Sequence, residues 1–596
     1  MNSAQRNESR SGLIAIAVAA CFAARVACAN PVGPVVVNGK ATLLTSGNLL
    51  SITNTPGAII NWQQFSIGAG ETTRFIQQSA ASAVLNRVVG ADPSAILGAL
   101  QSNGRVFLIN PSGIIFGAGA RIDTAGLVAS SLRLSNEDFL GGRLNFVADP
   151  AIAGAVINQG RISASPGGRV FLIGAAVDNQ GVITAPNGDI VLAAGKSVRV
   201  TERASPGLQV EIVAPADRPL NLSEVTHGSR GIYAGLVRNS GTVSANSVVR
   251  GADGSIVLKA SADVRLAPGS STTANGANGG SVAINAGGAV SVAGAVEAKG
   301  DAGAGGRVEI LGDLTGIFDG ARVNAAGATG GGAILVGGDA HGSAIVGGGT
   351  ALPNSRRTFV GRDTELRADA IDSGDGGRII VWADDITRFY GGVSARGGAQ
   401  SGNGGFAEIS GKRLLDFSGR VDLGAANGLA GTVLFDPLNI TLSAGPAASI
   451  TGFAPPGDQT EAWNDDAGLN SVFRVNAGGS FAGVAAGTTI TLEATNNITV
   501  ANAFNVGTAT GQANVSLDLR AGNDITVNAG ITTTGTGSLS LAADASFSGT
   551  GGPASDGAGN VALNAALLTA GGAINLSGVN VNSALAGTIT STGAVN

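Results

Sequence analysis

A glycine leading a short aliphatic run returns through this chain every twenty-odd residues, and that recurrence rules out most architectures at once. It opens Gly168-Arg169-Val170-Phe171-Leu172-Ile173, Gly188-Asp189-Ile190-Val191-Leu192 and Gly254-Ser255-Ile256-Val257-Leu258. It reappears at Gly280, Gly306 and Gly332, each 26 residues after the one before, and later at Gly377 and Gly405. A second phrase, Asn158-Gln159-Gly160-Arg161-Ile162, comes back at Asn179 and Asn239. Strands of four to six residues, set off by Gly or Asn-Gly at this interval, predict an all-β solenoid whose coils pair in parallel about 4.8 Å apart. A propeller needs blades of roughly 40 residues with four antiparallel strands each, which this interval does not supply.

The 95 glycines among 596 residues follow from the same pattern, because coil corners need either a positive φ or a close approach of backbones. Collagen is excluded, since the glycines keep no three-residue phase, and 44% hydrophobic residues argue against disorder. Acidic residues outnumber basic ones by 41 to 36 with no basic block, so no nucleic-acid partner is expected. Two stretches break the rhythm, 131–150 and 201–230 with Pro206, Pro215 and Pro219, and read as excursions from the solenoid wall, either hairpins or loops covering a face or an end. Near Gly431 the repeats turn richer in Asn and Thr: Asn497-Ile498-Thr499-Val500 returns as Asp524-Ile525-Thr526-Val527.

Residues 1–29 read as a secretory signal peptide. Arg6 and Arg10 lead into an apolar run from Leu13 to Ala20, and Ala27-Cys28-Ala29 places small residues before a cleavage between Ala29 and Asn30. Val18-Ala19-Ala20-Cys21 offers a lipobox as the alternative. Cys21 and Cys28 are the two cysteines of the chain, so the exported part would carry no disulfide and no thiol ligand. His227 and His341 are its two imidazoles, both expected in solvated loops, and no metal or cofactor is assigned. Asp372, Asp375, Asp384 and Asp385 flank one strand, yet the glycine-aspartate nonapeptide of calcium-binding solenoids is absent.

Between Ala41 and Leu132 several ordered blocks stand together: Ile60-Asn61-Trp62-Gln63-Gln64-Phe65, then Val84-Leu85-Asn86-Arg87-Val88, then Asn103-Gly104-Arg105-Val106-Phe107-Leu108-Ile109-Asn110-Pro111-Ser112-Gly113-Ile114. This stretch resembles the secretion domain of the filamentous haemagglutinin family, the exported partners of two-partner secretion (TPS) in Gram-negative bacteria. The family's Asn-Pro-Asn-Gly-Ile element stands here as Asn110, Pro111, Ser112, Gly113 and Ile114, with Ser in place of the second Asn. The resemblance implies a right-handed parallel β-helix. It implies that the N-terminal domain is recognised by the POTRA domains of a dedicated outer-membrane transporter, and that the chain is released or held at the cell surface.

The expected division is a signal peptide over 1–29, a secretion domain over 30–250 with excursions from the helix, β-helix repeats over 251–430, and distal repeats over 431–596. Asn110 to Ile114 is the candidate transporter-recognition motif, with a folding nucleus for the first coils as the competing reading. Trp62, Phe65, Asn86, Arg87, Asn103 and Gly104 are expected to build the secretion domain. The function expected is that of a non-enzymatic adhesin or haemagglutinin, meeting a host-cell or bacterial surface receptor. The alternatives are a β-helix polysaccharide lyase or hydrolase, against which the acids look scattered along the chain, and the truncated stalk of a contact-dependent toxin.

Overall fold

Aliphatic residues at matching positions of short strands stack when the strands are laid in parallel, and one such row runs through the molecule. Ala58, Val84, Val106, Leu127, Val170, Ile190 and Ile256 stand opposite one another in successive strands. The row goes on through Val282, Val308, Ile334, Ile379, Ala407 and Val433 to Ile490, Leu517, Leu539 and Ile574. All are buried in one continuous core. The computed structural model describes residues 30–149, 154–202, 208–213, 235–247, 254–318, 320–342, 352–444, 470–546, 555–584 and 588–596. Residues 1–29, with Cys21, Cys28 and the proposed cleavage at Ala29, lie outside these, as do Pro206, Pro215, Pro219 and His227.

The chain winds as a parallel β-helix with three faces. A repeating coil places one strand on each face: Ala176–Asn179 on face one, Val182–Thr184 on face two and Asp189–Ala194 on face three. The N-terminal end is closed differently. Val35–Asn38 pairs antiparallel with Ala58–Trp62, and Ala41–Ser46 makes an antiparallel hairpin with Leu49–Asn54, before parallel pairing begins with Thr72–Ile76. Faces one and two stop at Leu414–Phe417 and Arg420–Asp422, and two new sheets begin around Ile440–Ser443 and Phe504–Asn505. Face three passes through without a break, from Thr432–Phe435 to Thr489–Ala494. Phe417, Phe435, Phe473, Phe481 and Phe504 fill the interior at this change, with neighbouring rings 4.7–6.3 Å apart.

The glycine recurrence has a steric cause. Gly254, Gly280, Gly306, Gly332, Gly377, Gly405 and Gly431 form one column along a corner, and a Cβ on each from Gly280 onward would fall on the carbonyl oxygen of the glycine one coil earlier. None of them has a positive φ, so close approach of coils, not left-handed backbone, demands glycine there. The Asn phrase forms a parallel column: Nδ2 of Asn158 donates to Oδ1 of Asn179 at 2.8 Å, and Nδ2 of Asn179 to Oδ1 of Asn239 at 2.9 Å, all three buried.

The two rhythm-breaking stretches meet. Arg133–Leu134, Leu144–Val147, Ser197–Glu202 and Leu208–Val213 make one four-stranded antiparallel sheet, with a short helix at Asn136–Leu140. It covers the outer side of face three, where Leu85, Phe107, Val128, Phe171 and Val191 form a second core with Phe139, Phe146, Val198 and Val210. Strands buried on both sides carry apolar residues at every position, which explains runs such as Val170-Phe171-Leu172-Ile173.

Candidate functional site

Asn110 to Ile114 turns the chain from the face-three strand Arg105–Ile109 into the face-one strand Ile114–Phe116. Asn110 is buried and its amide is used in full: Nδ2 donates to the Asp92 carbonyl and to Oγ of Ser94, both at 3.0 Å, and Oδ1 accepts from the Ser112 N–H at 3.0 Å. The Gly113 N–H returns to the Asn110 carbonyl at 2.9 Å, at a φ of +112° that favours glycine. Pro111 and Ser112 are the members left partly exposed. Asn30, the first described residue, accepts from Oγ1 of Thr73 at 2.9 Å.

The other sequence-derived residues knit the first coils. Trp62 and Phe65 are buried edge to face, with ring centres 5.5 Å apart. Asn86, equally buried, accepts from Nε1 of Trp62 and donates to the Phe107 carbonyl. Arg87 reaches out to the covering sheet, donating to the Leu134 carbonyl at 2.9 Å and to Oδ1 of Asn136 at 2.7 Å, and burial lowers its pKa. Asn103 exchanges two bonds with the backbone of Gln77, at 2.7 and 2.8 Å, and Gly104 leaves room for the Gln77 side chain, which a Cβ there would meet at 2.6 Å.

A second constellation was not foreseen. His341 is not a solvated loop residue, and the acids around it are not scattered in space. The segment after Ala333–Val336 folds back over face three, where Ala340 and Leu352 pack on Leu335, Ile380 and Trp382. Gly342, at φ +60°, lies so close to the Trp382 ring that a Cβ would meet it at 2.7 Å. His341 itself adopts a left-handed backbone, φ 52° and ψ 26°, uncommon for a residue with a side chain. Its N–H donates to Oε1 of Glu408 at 2.9 Å, while Nδ1 stands 3.5 Å from Oδ2 of Asp436 and 3.9 Å from Oε2 of Glu493. The Asp436 carboxylate raises the His341 pKa to about 9 against the opposing effect of burial, and burial raises Glu408 to about 7. Burial also raises Asp436 and Glu493.

One sequence signal pointed there. Glu408 occupies the register position filled by Leu335, Ile380 and Leu434 in neighbouring coils, an acid in an aliphatic row. The aspartates flanking Gly377 are engaged separately. Asp385 pairs with Arg357 and Arg413, Asp384 accepts from Nε1 of Trp382, and Asp375 accepts from the Asn403 N–H. Among the described residues, the group whose ligand atoms lie close enough to share an ion is His341, Asp436 and Glu493.

Comparison with known proteins adds to this geometry. A family model described as the TPS secretion domain matches residues 27–283. The crystal structure of the HMW1 secretion domain from Haemophilus influenzae is similar, with 32% sequence identity and a TM-score of 0.52, covering 67% of this chain and 100% of that one. Two curated proteins from Haemophilus influenzae, each named heme/hemopexin-binding protein, are similar over shorter stretches. One is 38% identical over 134 residues, 22% of this chain and 15% of that protein; the other is 42% identical over 74 residues, 12% and 8%. The chain thus spans 15% and 8% of the length of these relatives.

Proposed function

The chain belongs to the two-partner secretion exoproteins, and we propose that residues 30–250 are the part that a dedicated outer-membrane transporter engages through its periplasmic POTRA domains. On this reading the repeats over 251–430 and 431–596 form an adhesin-like stalk that meets a host-cell or bacterial surface receptor once outside. The observation that carries it is the secretion-domain match to residues 27–283, the part of the solenoid that holds both the antiparallel N-terminal closure and the covering sheet.

Physical chemistry supports the same order of events. Each coil that stacks on its predecessor removes apolar surface from water at about 25 cal/mol per Å². Coils that form only on the far side of the membrane hold the emerged chain there and draw the rest outward. Within the motif, Asn110 is consumed by the turn, so the transporter contact falls to Pro111 and Ser112.

A photo-crosslinking residue placed at Ser112 during secretion tests this. Crosslinks to the transporter's periplasmic domains are expected from Ser112 and not from Gly392, far along the solenoid. Equal crosslinking from both positions contradicts it.

A further inference from the structure

The side chains packed around His341 hold more buried polar atoms than partners. Glu408, Glu493 and Asp436 are 0%, 4% and 8% exposed, yet Oε2 of Glu408, Oε2 of Glu493, Oδ1 of Asp436 and Nδ1 of His341 make no hydrogen bond. A buried polar atom without a hydrogen bond is costly, and two of these, Nδ1 of His341 and Oε2 of Glu493, stand 3.9 Å apart with Oδ2 of Asp436 3.5 Å from the same nitrogen, which leaves room for an ion between them. The neighbouring cations do not meet the need. Arg520 binds the other oxygen, Oε1, of Glu493 at 2.9 Å and is shared with Asp518, and Lys412 acts on Asp436 through its field.

The spacing suits a metal. Donor atoms 2.0–2.2 Å from a tetrahedral ion stand roughly 3.4 Å apart, and Nδ1 of His341 lies 3.5 Å from Asp436 and 3.9 Å from Glu493. One imidazole with carboxylates favours a borderline divalent cation over calcium, which prefers six to eight oxygens. The orienting contacts are also present: Arg520 on Oε1 of Glu493 turns Oε2 inward, and Glu408 fixes the His341 backbone.

We propose that His341, Asp436 and Glu493 ligate a divalent cation of the zinc type, with the fourth position taken by water. The ligands come from the segment after Ala333–Val336, from the residue following Thr432–Phe435 and from Thr489–Ala494, so the site is complete only when the intervening coils have stacked. The ion staples the covering segment to the wall of a chain whose two cysteines both lie within residues 1–29.

The test uses the secreted full-length chain, stripped with a chelator and titrated calorimetrically with zinc. One zinc per chain is expected, with X-ray absorption showing nitrogen and oxygen ligation. Asp436→Asn, which keeps the side chain's shape, and His341→Ala should each weaken binding by about 100-fold or more, with unchanged circular dichroism. His227→Ala, which removes the other imidazole, should bind as the parent does. Absence of saturable binding at one per chain overturns the proposal. So does binding that survives both His341→Ala and Asp436→Asn.

Discussion

Nε1 of Trp62 donates to Oδ1 of Asn86 at 3.0 Å, and Nδ2 of the same Asn86 donates to the Phe107 carbonyl at 3.2 Å, so one buried polar chain crosses three successive strands of face three. Trp62→Phe keeps an aromatic side chain but removes the pyrrole ring with its N–H, so Oδ1 of Asn86 is left unpaired. The loss should be about 1–3 kcal/mol. Hydrogen exchange across Arg105–Ile109 should rise by roughly 5- to 150-fold if opening of this region carries that loss. Unchanged exchange there would show that the bond contributes nothing.

The asparagine column makes a sharper demand, because its middle member serves two neighbours. Asn179→Ala strands Nδ2 of Asn158 and takes one of two donors from Oδ1 of Asn239, which keeps the Gly241 N–H at 3.2 Å. A destabilisation of about 1–3 kcal/mol is expected, the cost of one unsatisfied buried group. Chemical denaturation of the full chain measures it, and a shift no larger than that of an exposed Asn→Ala control would count against the column.

Glycine at the corner is required for space. Gly306→Ala would drive a methyl group into the Gly280 carbonyl and force two coils apart, whereas a Cβ on Gly392 meets its nearest neighbour at 3.9 Å. Gly306→Ala should lower the melting temperature or abolish secretion, and Gly392→Ala should be neutral or mildly stabilising. Equal effects at the two sites would remove the steric explanation.

Asp385 ties adjacent coils through Nε of Arg357 at 3.0 Å and through Arg413. Burial pushes its pKa up, but the two guanidinium groups outweigh burial and hold it below the ordinary value of 3.8. A carboxyl depressed in the folded state stabilises fully above its unfolded value and loses that contribution as pH falls through the folded one. Asp385→Asn should therefore melt earlier than the parent at pH 7, with the gap closing below pH 3.8. A gap that persists at low pH would assign the loss to shape.

The solenoid was legible because its causes are periodic. Gly280, Gly306 and Gly332 meet the same obstacle in each coil, and Asn158, Asn179 and Asn239 pair with one another. Two features were not legible, for one reason: they are built from segments that interrupt the period and meet their partners only across stacked coils. Leu144–Val147 pairs with Ser197–Glu202 across two intervening coils, so the excursions form one sheet and not two separate hairpins. His341 meets Glu408, Asp436 and Glu493 only after a segment of irregular length folds back over the wall. The sequence singled out the residues of the secretion blocks by their order alone, and the contacts they make became visible only in the structure. Arg87, for instance, serves the covering sheet through Asn136.

On the proposed reading, a dedicated transporter carries this chain out by its N-terminal domain. The most direct measurement is release of the full chain into the medium from cells with and without that outer-membrane transporter, alongside Asn110→Ala, which loses the turn. Release that requires the transporter and falls in Asn110→Ala is predicted. Equal release with and without the transporter would contradict the account.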